Sequence, residues 1–203
     1  MNIFQEFEPA IDNGPPPPGL VYVPDFISES DEQSFINILD GMEWNNELQR
    51  RVQHYGYRYD YRARGIDTAM RLGSLPEFSL PIQRKMLRDG HLANPPDQLI
   101  VNEYIPGQGI SAHTDCIGCF QDRIAAVSLG WAYELDFIHA KSGRTHSMIL
   151  DRRSLLVLSG EVRYDWLHRI RARRSDYGIA RKRRISMTFR SVIPNWLSFV
   201  PPQ

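Results

Sequence analysis

The sequence of 203 residues predicts a single α+β domain that is mostly β, an antiparallel sandwich or barrel with helices on one side. Two observations predict this class. Four short apolar segments crowd together between residues 124 and 158, and turn residues such as Gly130 and Gly143 separate them. Helix signals are concentrated before residue 91. Many short strands after a helical region are typical of a β-sandwich or barrel with helices packed on one face.

Two helices are predicted in the N-terminal half. The first follows Ser28, a hydroxyl N-cap with acidic residues after it, and ends at Gly41. The second covers residues 80–90, with a proline near its start and a glycine at its end. Further short strands are expected at residues 20–23 and 184–193.

Composition and charge limit the class of protein. An apolar fraction of 42% and a charged fraction of 24% are those of a soluble globular domain. Basic and acidic residues number 24 each, so attraction to nucleic acid must come from local patches. No apolar run approaches the roughly 18 residues of a membrane span, and no secretory signal is visible. We expect a cytoplasmic monomer without membrane contact, with a Pro-rich arm over residues 1–19 and one domain over residues 20–203.

A His-x-Asp pair predicts a metal site. His113 and Asp115 follow an apolar run and a Pro/Gly turn, and residues two apart on an extended backbone share one face. An imidazole and a carboxylate suit a first-row metal, and a distant histidine would complete the 2-His-1-carboxylate triad of non-haem Fe(II) oxygenases. The other histidines are His54, His91, His139, His146 and His168. Because His139 and His146 flank a glycine turn, they are interpreted as hairpin residues.

Two arginines of the last predicted strand indicate an anion site. Arg184 and Arg190 are six residues apart, so both guanidinium groups face the same side, which Ser186 shares. Near a metal, such a pair fits a dicarboxylate co-substrate that chelates the metal at one end and is held by arginine at the other. The alternative is a solvated strand face.

A tyrosine-rich segment and a basic run leave two interpretations open. Tyrosines alternate at positions 55, 57, 59 and 61, with Arg58, Arg62 and Arg64 in the same segment, and this alternation places the rings on one face of a strand or hairpin. That face is either a half-buried packing surface or a surface for a base and phosphates. The basic residues of segment 169–183 are either a phosphate track or a solvated loop.

Cys116 and Cys119 form a C-x2-C pair directly after Asp115. A zinc site needs a second such pair, which the sequence lacks. We expect two reduced thiols in a loop. The alternative is that the two thiols are oxidised because a redox metal lies close by.

An ordered set of motifs resembles the AlkB family of Fe(II)/2-oxoglutarate dioxygenases over residues 20–193. The set consists of Asn102-x-Tyr104, Pro106-Gly107, His113-x-Asp115, Ser128-Leu129-Gly130, Gly160-Glu161-x-Arg163, His168 and Arg184-x5-Arg190. Residues 51–57 and 152–157 look closest to the AlkB-like domain of the tRNA wobble-uridine hydroxylase branch and its bacterial relatives. The resemblance implies a double-stranded β-helix, or jelly-roll, core.

The resemblance also implies the roles of individual residues. The family's iron ligands match His113, Asp115 and His168. Five residues match positions that bind 2-oxoglutarate: Asn102, Tyr104, Arg184, Ser186 and Arg190. At the position of Ser186, several family members carry Asn. Residues 44–66 correspond to the lid that recognises the nucleotide, and its candidate substrate contacts are Arg51, Tyr55, Tyr57 and Tyr59.

The implied activity is oxidative dealkylation or hydroxylation of alkylated or modified nucleobases in DNA or RNA, tRNA included. It would use Fe(II), 2-oxoglutarate and O2. A target base in a duplex must be flipped out, and lid aromatics can stack on it. Two alternatives remain: the same chemistry on a protein or small-molecule substrate, and a non-catalytic binding module. The Tyr/Arg lid argues mildly against the former, and the complete set of ligands and arginines against the latter.

Overall fold

The computed structural model describes residues 14–46, 48–61, 63 and 65–193. Residues 1–13 of the predicted arm, and Arg62 and Arg64 of the tyrosine-rich segment, lie outside the described residues. In chain order the strands and α-helices of this part are β1 (Leu20–Val23), α1 (Glu29–Asp40), β2 (Val52–Tyr55), α2 (Leu80–Arg88), β3 (Gln98–Tyr104), β4 (Ile110–His113), β5 (Ile124–Leu129), β6 (Tyr133–His139), β7 (Thr145–Leu150), β8 (Leu155–Leu158), α3 (Gly160–Tyr164), β9 (Trp166–Ile170), β10 (Ser175–Asp176), β11 (Ile179–Ala180) and β12 (Arg184–Arg190).

Ten of these strands form two sheets. The major sheet has the order β1-β8-β5-β12-β3-β2 and the minor sheet the order β4-β9-β6-β7, while β10 and β11 pair as a separate ribbon. Every one of these strand pairings is antiparallel. The four predicted apolar segments are β5 to β8. The predicted class, mostly β with antiparallel strands, is therefore confirmed.

Alternating side chains of β8 show how the layers stack. Leu155 and Val157 belong to a core that β8 shares with the two long helices, α1 and α2, whereas Leu156 and Leu158 belong to the core between the two sheets. Both faces of the major sheet are thus covered, and this explains why β8 is a continuous apolar run. The helices pack on one face of the sheet, as predicted, and the minor sheet covers the other.

Helix α1 begins and ends where the sequence predicts. Ser28 Oγ accepts the backbone N–H of Asp31 at 3.1 Å, and the Asp31 carboxylate accepts the backbone N–H of Ser28 at 3.1 Å. This reciprocal capping box satisfies two amide groups of the first turn, and Gly41 closes the helix. Within the described ranges, no helix is long and apolar enough to cross a membrane.

The end of the predicted Pro-rich arm is packed against the domain. Pro17 is buried. The carbonyl of Pro18 accepts the backbone N–H of Val162 in α3 at 3.0 Å, and the carbonyl of Gly19 accepts that of Ser159 at 3.1 Å. Prolines donate no backbone hydrogen bond but their carbonyls accept one, so this segment can dock on a helix.

The basic run of segment 169–183 is bound to acidic residues of the domain itself. Arg169 and Arg171 donate to Asp136 of β6 at 2.8 and 2.6 Å. The other ion pairs are Arg173 with Glu134 and Asp176, Arg181 with Asp176, and Arg183 with Asp40 and Glu103. Carboxylates therefore neutralise these five arginines, and all of the partners except Asp176 are distant in sequence, so the arginines are less available to phosphates than the sequence suggests.

We expect the ion pairs of Asp136 to make the fold sensitive to acid. Burial raises the pKa of Asp136, but hydrogen bonds from Arg169, Ser147 and Arg171 outweigh it and lower the pKa below its ordinary value. Such a carboxylate stabilises the fold above its unfolded pKa, about 4, and this contribution is lost as the pH falls. Asp136→Asn should therefore lower the free energy of unfolding at pH 7 by about 1–2 kcal/mol, measured by urea unfolding.

The difference in unfolding free energy between the wild type and Asp136→Asn should narrow as the pH falls from 7 to 3. Glu77→Gln, which changes an exposed carboxylate, is the control and should stay close to the wild type at each pH. A constant difference between wild type and Asp136→Asn across this range would contradict the assignment of the acid sensitivity to Asp136.

Candidate active site

Strands β4 and β9 bring two histidines together. His113, the last residue of β4, is the cross-strand partner of His168 in the middle of β9, and the ring centres lie 4.3 Å apart. Asp115 lies two residues beyond His113, in the irregular segment after β4. The ligand atoms of the three side chains all lie within 4.8 Å of one another. The structure thus brings together the three residues predicted to bind metal, although only His113 of the His-x-Asp pair lies in the strand.

Hydrogen bonds to backbone carbonyl groups hold the segment from His113 to Asp115 in place. Nδ1 of His113 lies 2.8 Å from the carbonyl oxygen of Ser111. A carbonyl oxygen only accepts, so Nδ1 carries the hydrogen and the lone pair of Nε2 is available to a metal. Between the two ligands, Thr114 Oγ1 donates to the carbonyl of Trp166 at 3.1 Å and so ties this segment to β9.

Asp115 is surrounded by positive groups. Arg190 Nη2 donates to its carboxylate at 2.7 Å. Arg163 donates to the backbone carbonyls of Asp115 and Cys116 at 2.9 and 3.0 Å. Burial raises the pKa of Asp115, but the positive charges around it, that of Arg190 first, outweigh it and hold the pKa well below its ordinary value. Asp115 is therefore ionised, which is the form that binds a metal.

His168 is in its neutral form at physiological pH. Burial, and then the like charge of His113, lower its pKa to about 3. Neutral imidazole is the form that binds metal ions. Two imidazoles and one carboxylate on one side of an open space fit a non-haem Fe(II) centre, which needs further positions for its co-substrates.

A narrow inner cavity of about 80 Å³ lies behind the three residues, between the two sheets. Its polar lining includes all five residues predicted to bind 2-oxoglutarate: Asn102, Tyr104, Arg184, Ser186 and Arg190. Register explains why they meet, because Asn102 pairs with Ser186 and Tyr104 with Arg184 across β3 and β12. Much of the remaining lining is aliphatic side chains of both sheets.

Arg184 gives the inner cavity its requirement for an anion. The side chain is 2% exposed, its Nη2 donates to Ser128 Oγ at 2.8 Å, and its guanidinium carbon lies 5.4 Å from the centre of the Tyr104 ring. Among the described residues, its Nε has no hydrogen-bond partner and no carboxylate pairs with it. Burial lowers the pKa of Arg184, yet a guanidinium keeps its charge in proteins. A carboxylate ligand in the cavity satisfies this buried cation.

A wider outer cavity of about 790 Å³ opens on the other side of the candidate ligands. The two cavities share Asn102, Ile110, His113, Asp115 and Arg190, so the candidate metal centre lies at their boundary. The outer wall is aromatic and comes from the predicted lid and the segment after Asp115. Tyr59 stacks on Phe120 with ring centres 6.3 Å apart, and Tyr61 meets Tyr59 edge-on at 5.2 Å.

Only part of the predicted substrate lid reaches this cavity. Tyr59 lines it, whereas Arg51, Tyr55 and Tyr57 do not. Arg51 is paired with Glu103 on the outer side of β3, at 2.5 Å, and Tyr55 packs edge-on against Phe78 in the core of the helices. Tyr57 packs against a small cluster that contains Ile66, Cys119, Phe120 and Val192.

Gly56 is the reason why the tyrosines do not share one face. It has a positive φ of 78°, and a Cβ atom at this position would lie 1.7 Å from the carbonyl oxygen of Asp97. No other residue fits such a position without displacing the backbone. The chain turns here, so β2 ends at Tyr55 and the later tyrosines follow in a loop.

Cys116 and Cys119 form a disulfide, which corrects the expectation of two reduced thiols. The backbone N–H of Cys119 donates to the carbonyl of Cys116 at 3.3 Å, and this turn brings the two Cα atoms to 5.3 Å, within the range usual for disulfides. The pair is therefore oxidised, as in the alternative interpretation of the sequence. The ring that the disulfide closes begins one residue after Asp115.

The comparisons with known proteins identify the family. The profile of the 2OG-Fe(II) oxygenase superfamily matches residues 19–190, most of the chain. The chain belongs to this superfamily. A 2OG-Fe(II) oxygenase uses Fe(II), 2-oxoglutarate and O2, and the His113, Asp115 and His168 cluster of this chain fits the iron.

Two relatives illustrate the similarity within the oxygenase superfamily. The chain is 40% identical over 171 residues to the tRNA (carboxymethyluridine(34)-5-O)-methyltransferase ALKBH8 of Mus musculus, covering 79% of this chain and 25% of that protein. It is 37% identical over 202 residues to the alkylated DNA repair protein ALKBH8 homolog of Arabidopsis thaliana, covering 86% of this chain and 58% of the relative. The oxygenase domain thus spans only a quarter to somewhat more than half of the length of these relatives.

A solved oxygenase structure supports the fold. OsALKBH1 superposes with a TM-score of 0.67 over 86% of this chain and 97% of that one, at 18% sequence identity. With its two antiparallel sheets and few helices, the chain has the jelly-roll core of such oxygenases. The predicted jelly roll is therefore confirmed.

Some residues of the oxygenase site lacked a predicted role. Arg163 and Ser128 belong to motifs that the sequence displays, but nothing in their spacing indicates that they contact the Asp115 segment and Arg184. Phe120, which lines the outer cavity, has no such signal, and Arg50 belongs to the predicted lid but is not among its candidate substrate contacts. These contacts are made across strands and loops that are distant in sequence.

Proposed function

We propose that this oxygenase oxidises alkylated or modified nucleobases in DNA or RNA. In this proposal His113, Asp115 and His168 hold the iron, and Asn102, Tyr104, Arg184, Ser186 and Arg190 form the 2-oxoglutarate site. The outer cavity receives the base. The domain is the segment 20–203, preceded by the Pro-rich arm, and residues 44–66 act as the substrate lid.

The observation that carries the proposal is the pair of cavities on either side of the candidate metal ligands. The inner cavity is small and ends at a buried, unmatched cation, Arg184, so it suits a short dicarboxylate. The outer cavity is large and walled by Tyr59, Tyr61 and Phe120, and aromatic faces stack on nucleobases. The names of relatives, which mention a tRNA uridine and the repair of alkylated DNA, support the same substrate class.

Each side chain has a distinct task in this reaction. Bound Fe(II), with 2-oxoglutarate and O2, supplies the oxidation of a substrate C–H bond to C–OH, with succinate and CO2 as products. Arg184 binds the far carboxylate of the co-substrate and thereby sets its depth in the inner cavity. The aliphatic side chains between the sheets keep water from that site. Tyr59 and Tyr61 orient the base above the boundary where the ligands lie.

The nature of the modification determines what leaves the base. If the oxidised carbon is an N-methyl group, the product is an N-hydroxymethyl base, which loses formaldehyde and leaves the unmodified base. If the carbon is bonded to another carbon, the hydroxyl group stays on the base. Formaldehyde release therefore separates dealkylation from hydroxylation.

A turnover screen tests the proposed function. Succinate formation from 2-oxoglutarate is measured with methylated DNA oligomers, methylated RNA oligomers and a tRNA pool, each beside its unmodified counterpart. We expect modified nucleic acid to stimulate succinate formation above the level seen without substrate, and the oxidised base to appear in mass spectra of the product. Aromatic stacking is worth about 1–3 kcal/mol per base, so Tyr59→Ala should lower the stimulated rate at low substrate concentration by about 5- to 150-fold.

Tyr55→Ala is the matched control, because Tyr55 belongs to the same lid but packs in the core away from the outer cavity. Its effect should be limited to protein stability. Stimulation by a peptide or a small molecule, with none from any nucleic acid, would favour the alternative substrate class. If Tyr59→Ala forms succinate at the same stimulated rate as the wild type, the assignment of the outer cavity to the base is contradicted.

A further inference from the structure

We propose that Arg50 is a positioning residue that orients the side-chain amide of Asn102 for 2-oxoglutarate and thereby links the outer cavity to the inner one. The inference rests on the proposed function, in which the inner cavity binds 2-oxoglutarate. It adds a residue of the lid, Arg50, to the machinery of a site that lies on the far side of the metal ligands.

Arg50 belongs to one cavity and contacts the other. It lies just before β2 and lines the outer cavity together with Tyr59 and Tyr61. Its Nε donates to Oδ1 of Asn102 at 2.8 Å, and its guanidinium carbon lies 6.0 Å from the centre of the Tyr104 ring. Asn102 and Tyr104 both line the inner cavity, and Asn102 lines the outer one as well. Arg50 is thus a lid residue whose side chain contacts the co-substrate side through Asn102.

The hydrogen bond from Arg50 decides which way the amide of Asn102 points. A guanidinium group only donates, so the atom that receives its hydrogen must be the oxygen of the amide. The Nδ2 group is then turned away from Arg50, and among the described residues no protein acceptor is found for it. An amide N–H group that lines a cavity for an anion is a suitable donor to that anion. Without Arg50 the amide is free to rotate and to present its oxygen instead.

The neighbouring arginine provides a natural contrast. Arg51 points to the other side of the chain, where its Nε donates to Glu103 at 2.5 Å and its guanidinium carbon lies 4.9 Å from the centre of the Trp44 ring. Two consecutive arginines thus contact two consecutive residues of β3. The contact of Arg50 faces the cavities, and the contact of Arg51 faces away from them. Arg51 therefore has the same size and charge as Arg50 but lines neither cavity.

The contact makes binding in the two cavities interdependent. A substrate that contacts Arg50 in the outer cavity also acts on Asn102, one hydrogen bond away. Coupling between two binding sites is reciprocal, so 2-oxoglutarate must alter the affinity for the substrate by the same factor. Arg50 is therefore a positioning residue that acts through Asn102.

The test measures the affinity for 2-oxoglutarate by calorimetry, with protein loaded with Zn²⁺ in place of iron so that no turnover occurs. The variants are Arg50→Ala, Asn102→Ala, the double variant, and Arg51→Ala as the matched control. We expect Arg50→Ala and Asn102→Ala each to weaken binding by about 10- to 150-fold, the value of one hydrogen bond to a charged group. The double variant should bind no more weakly than Asn102→Ala alone, because both substitutions remove the same contact. Arg51→Ala should bind as the wild type does.

Three results would overturn the inference: unchanged affinity in Arg50→Ala, losses that multiply in the double variant, or an equal loss in Arg51→Ala. The unfolding midpoint and the Zn²⁺ content of each variant show whether it is folded and loaded, and Arg50→Lys should recover part of the affinity if Arg50→Ala folds poorly. Failure of the proposed function looks different. In that case the wild type itself does not bind 2-oxoglutarate, or Arg184→Ala binds 2-oxoglutarate as tightly as the wild type does. Either result contradicts the proposed function and also the inference that rests on it.

Discussion

Replacing His168 with alanine is expected to abolish both stable iron binding and succinate formation. His168 is one of three candidate ligands whose donor atoms lie within 4.8 Å of one another, and the loss of one leaves a histidine and a carboxylate. Loss of a group that merely orients a ligand typically costs about 10–100-fold in metal affinity, so loss of a ligand should cost more than about 100-fold. The measurements are the metal content after dialysis against Fe(II) or Co(II) and the rate of succinate formation.

His146→Ala is the matched control for the loss of a histidine. His146 lies on β7 of the same sheet, and its ring centre is 6.5 Å from that of Phe137, the same distance as the ring centre of His168. It is not one of the three clustered residues. We expect His146→Ala to keep its metal and its turnover. A His168→Ala protein that retains one bound metal ion per chain would rule out His168 as a ligand.

The second large effect is expected at Arg184, which should be essential for binding 2-oxoglutarate. Hydrogen bonds to charged groups are worth about 1.5–3 kcal/mol each, and a guanidinium fork makes two with a carboxylate. Arg184→Ala should therefore weaken 2-oxoglutarate binding by about 100-fold or more, while iron binding stays intact. Arg184→Lys keeps the charge but not the fork, and we expect an intermediate loss. Calorimetry with Zn²⁺-loaded protein measures these affinities without turnover.

Arg183→Ala, which replaces the residue just before β12, controls for the loss of an arginine in this part of the chain. Arg183 pairs with Asp40 and with Glu103, away from the cavity that Arg184 lines. Its replacement should lower the stability of the fold without changing the affinity for 2-oxoglutarate. Equal losses of affinity in the two variants would indicate a general disturbance of the strand and would contradict a specific role for Arg184.

Local patterns predicted most of the elements and the candidate ligands. Hydroxyl and glycine caps mark α1, continuous apolar runs mark β5 and β8, and the even spacing of Arg184 and Arg190 puts both in one cavity. These signals depend on neighbours in the chain. The pairing of His113 with His168 does not, because it arises from the register of β4 and β9, which are neighbours in the sheet but are separated in the chain by β5 to α3.

The disulfide between Cys116 and Cys119 is a local contact, but two other differences from the predictions depended on contacts distant in sequence. The tyrosine pattern of residues 55–61 has the period of a strand, but the close approach of Gly56 to Asp97 ends the strand. The arginines of segment 169–183 look free until β6 places Asp136 beside them. In both cases the sequence contains the residues responsible, yet their proximity is a property of the folded chain.

The position of His113 on β4 links iron binding to the shape of the outer cavity. β4 is a four-residue strand at the edge of the minor sheet, paired only with β9 in that sheet and irregular in register between Ile110 and His113. An ion held by His113 and His168 joins the two strands and stabilises the folded form, by about 2.7 kcal/mol at a hundredfold excess of metal over its Kd. Residues 110–113 also line the outer cavity. In the proposed function the ion would be a reversible cross-link between β4 and β9, so that loss of iron would also loosen one wall of the outer cavity.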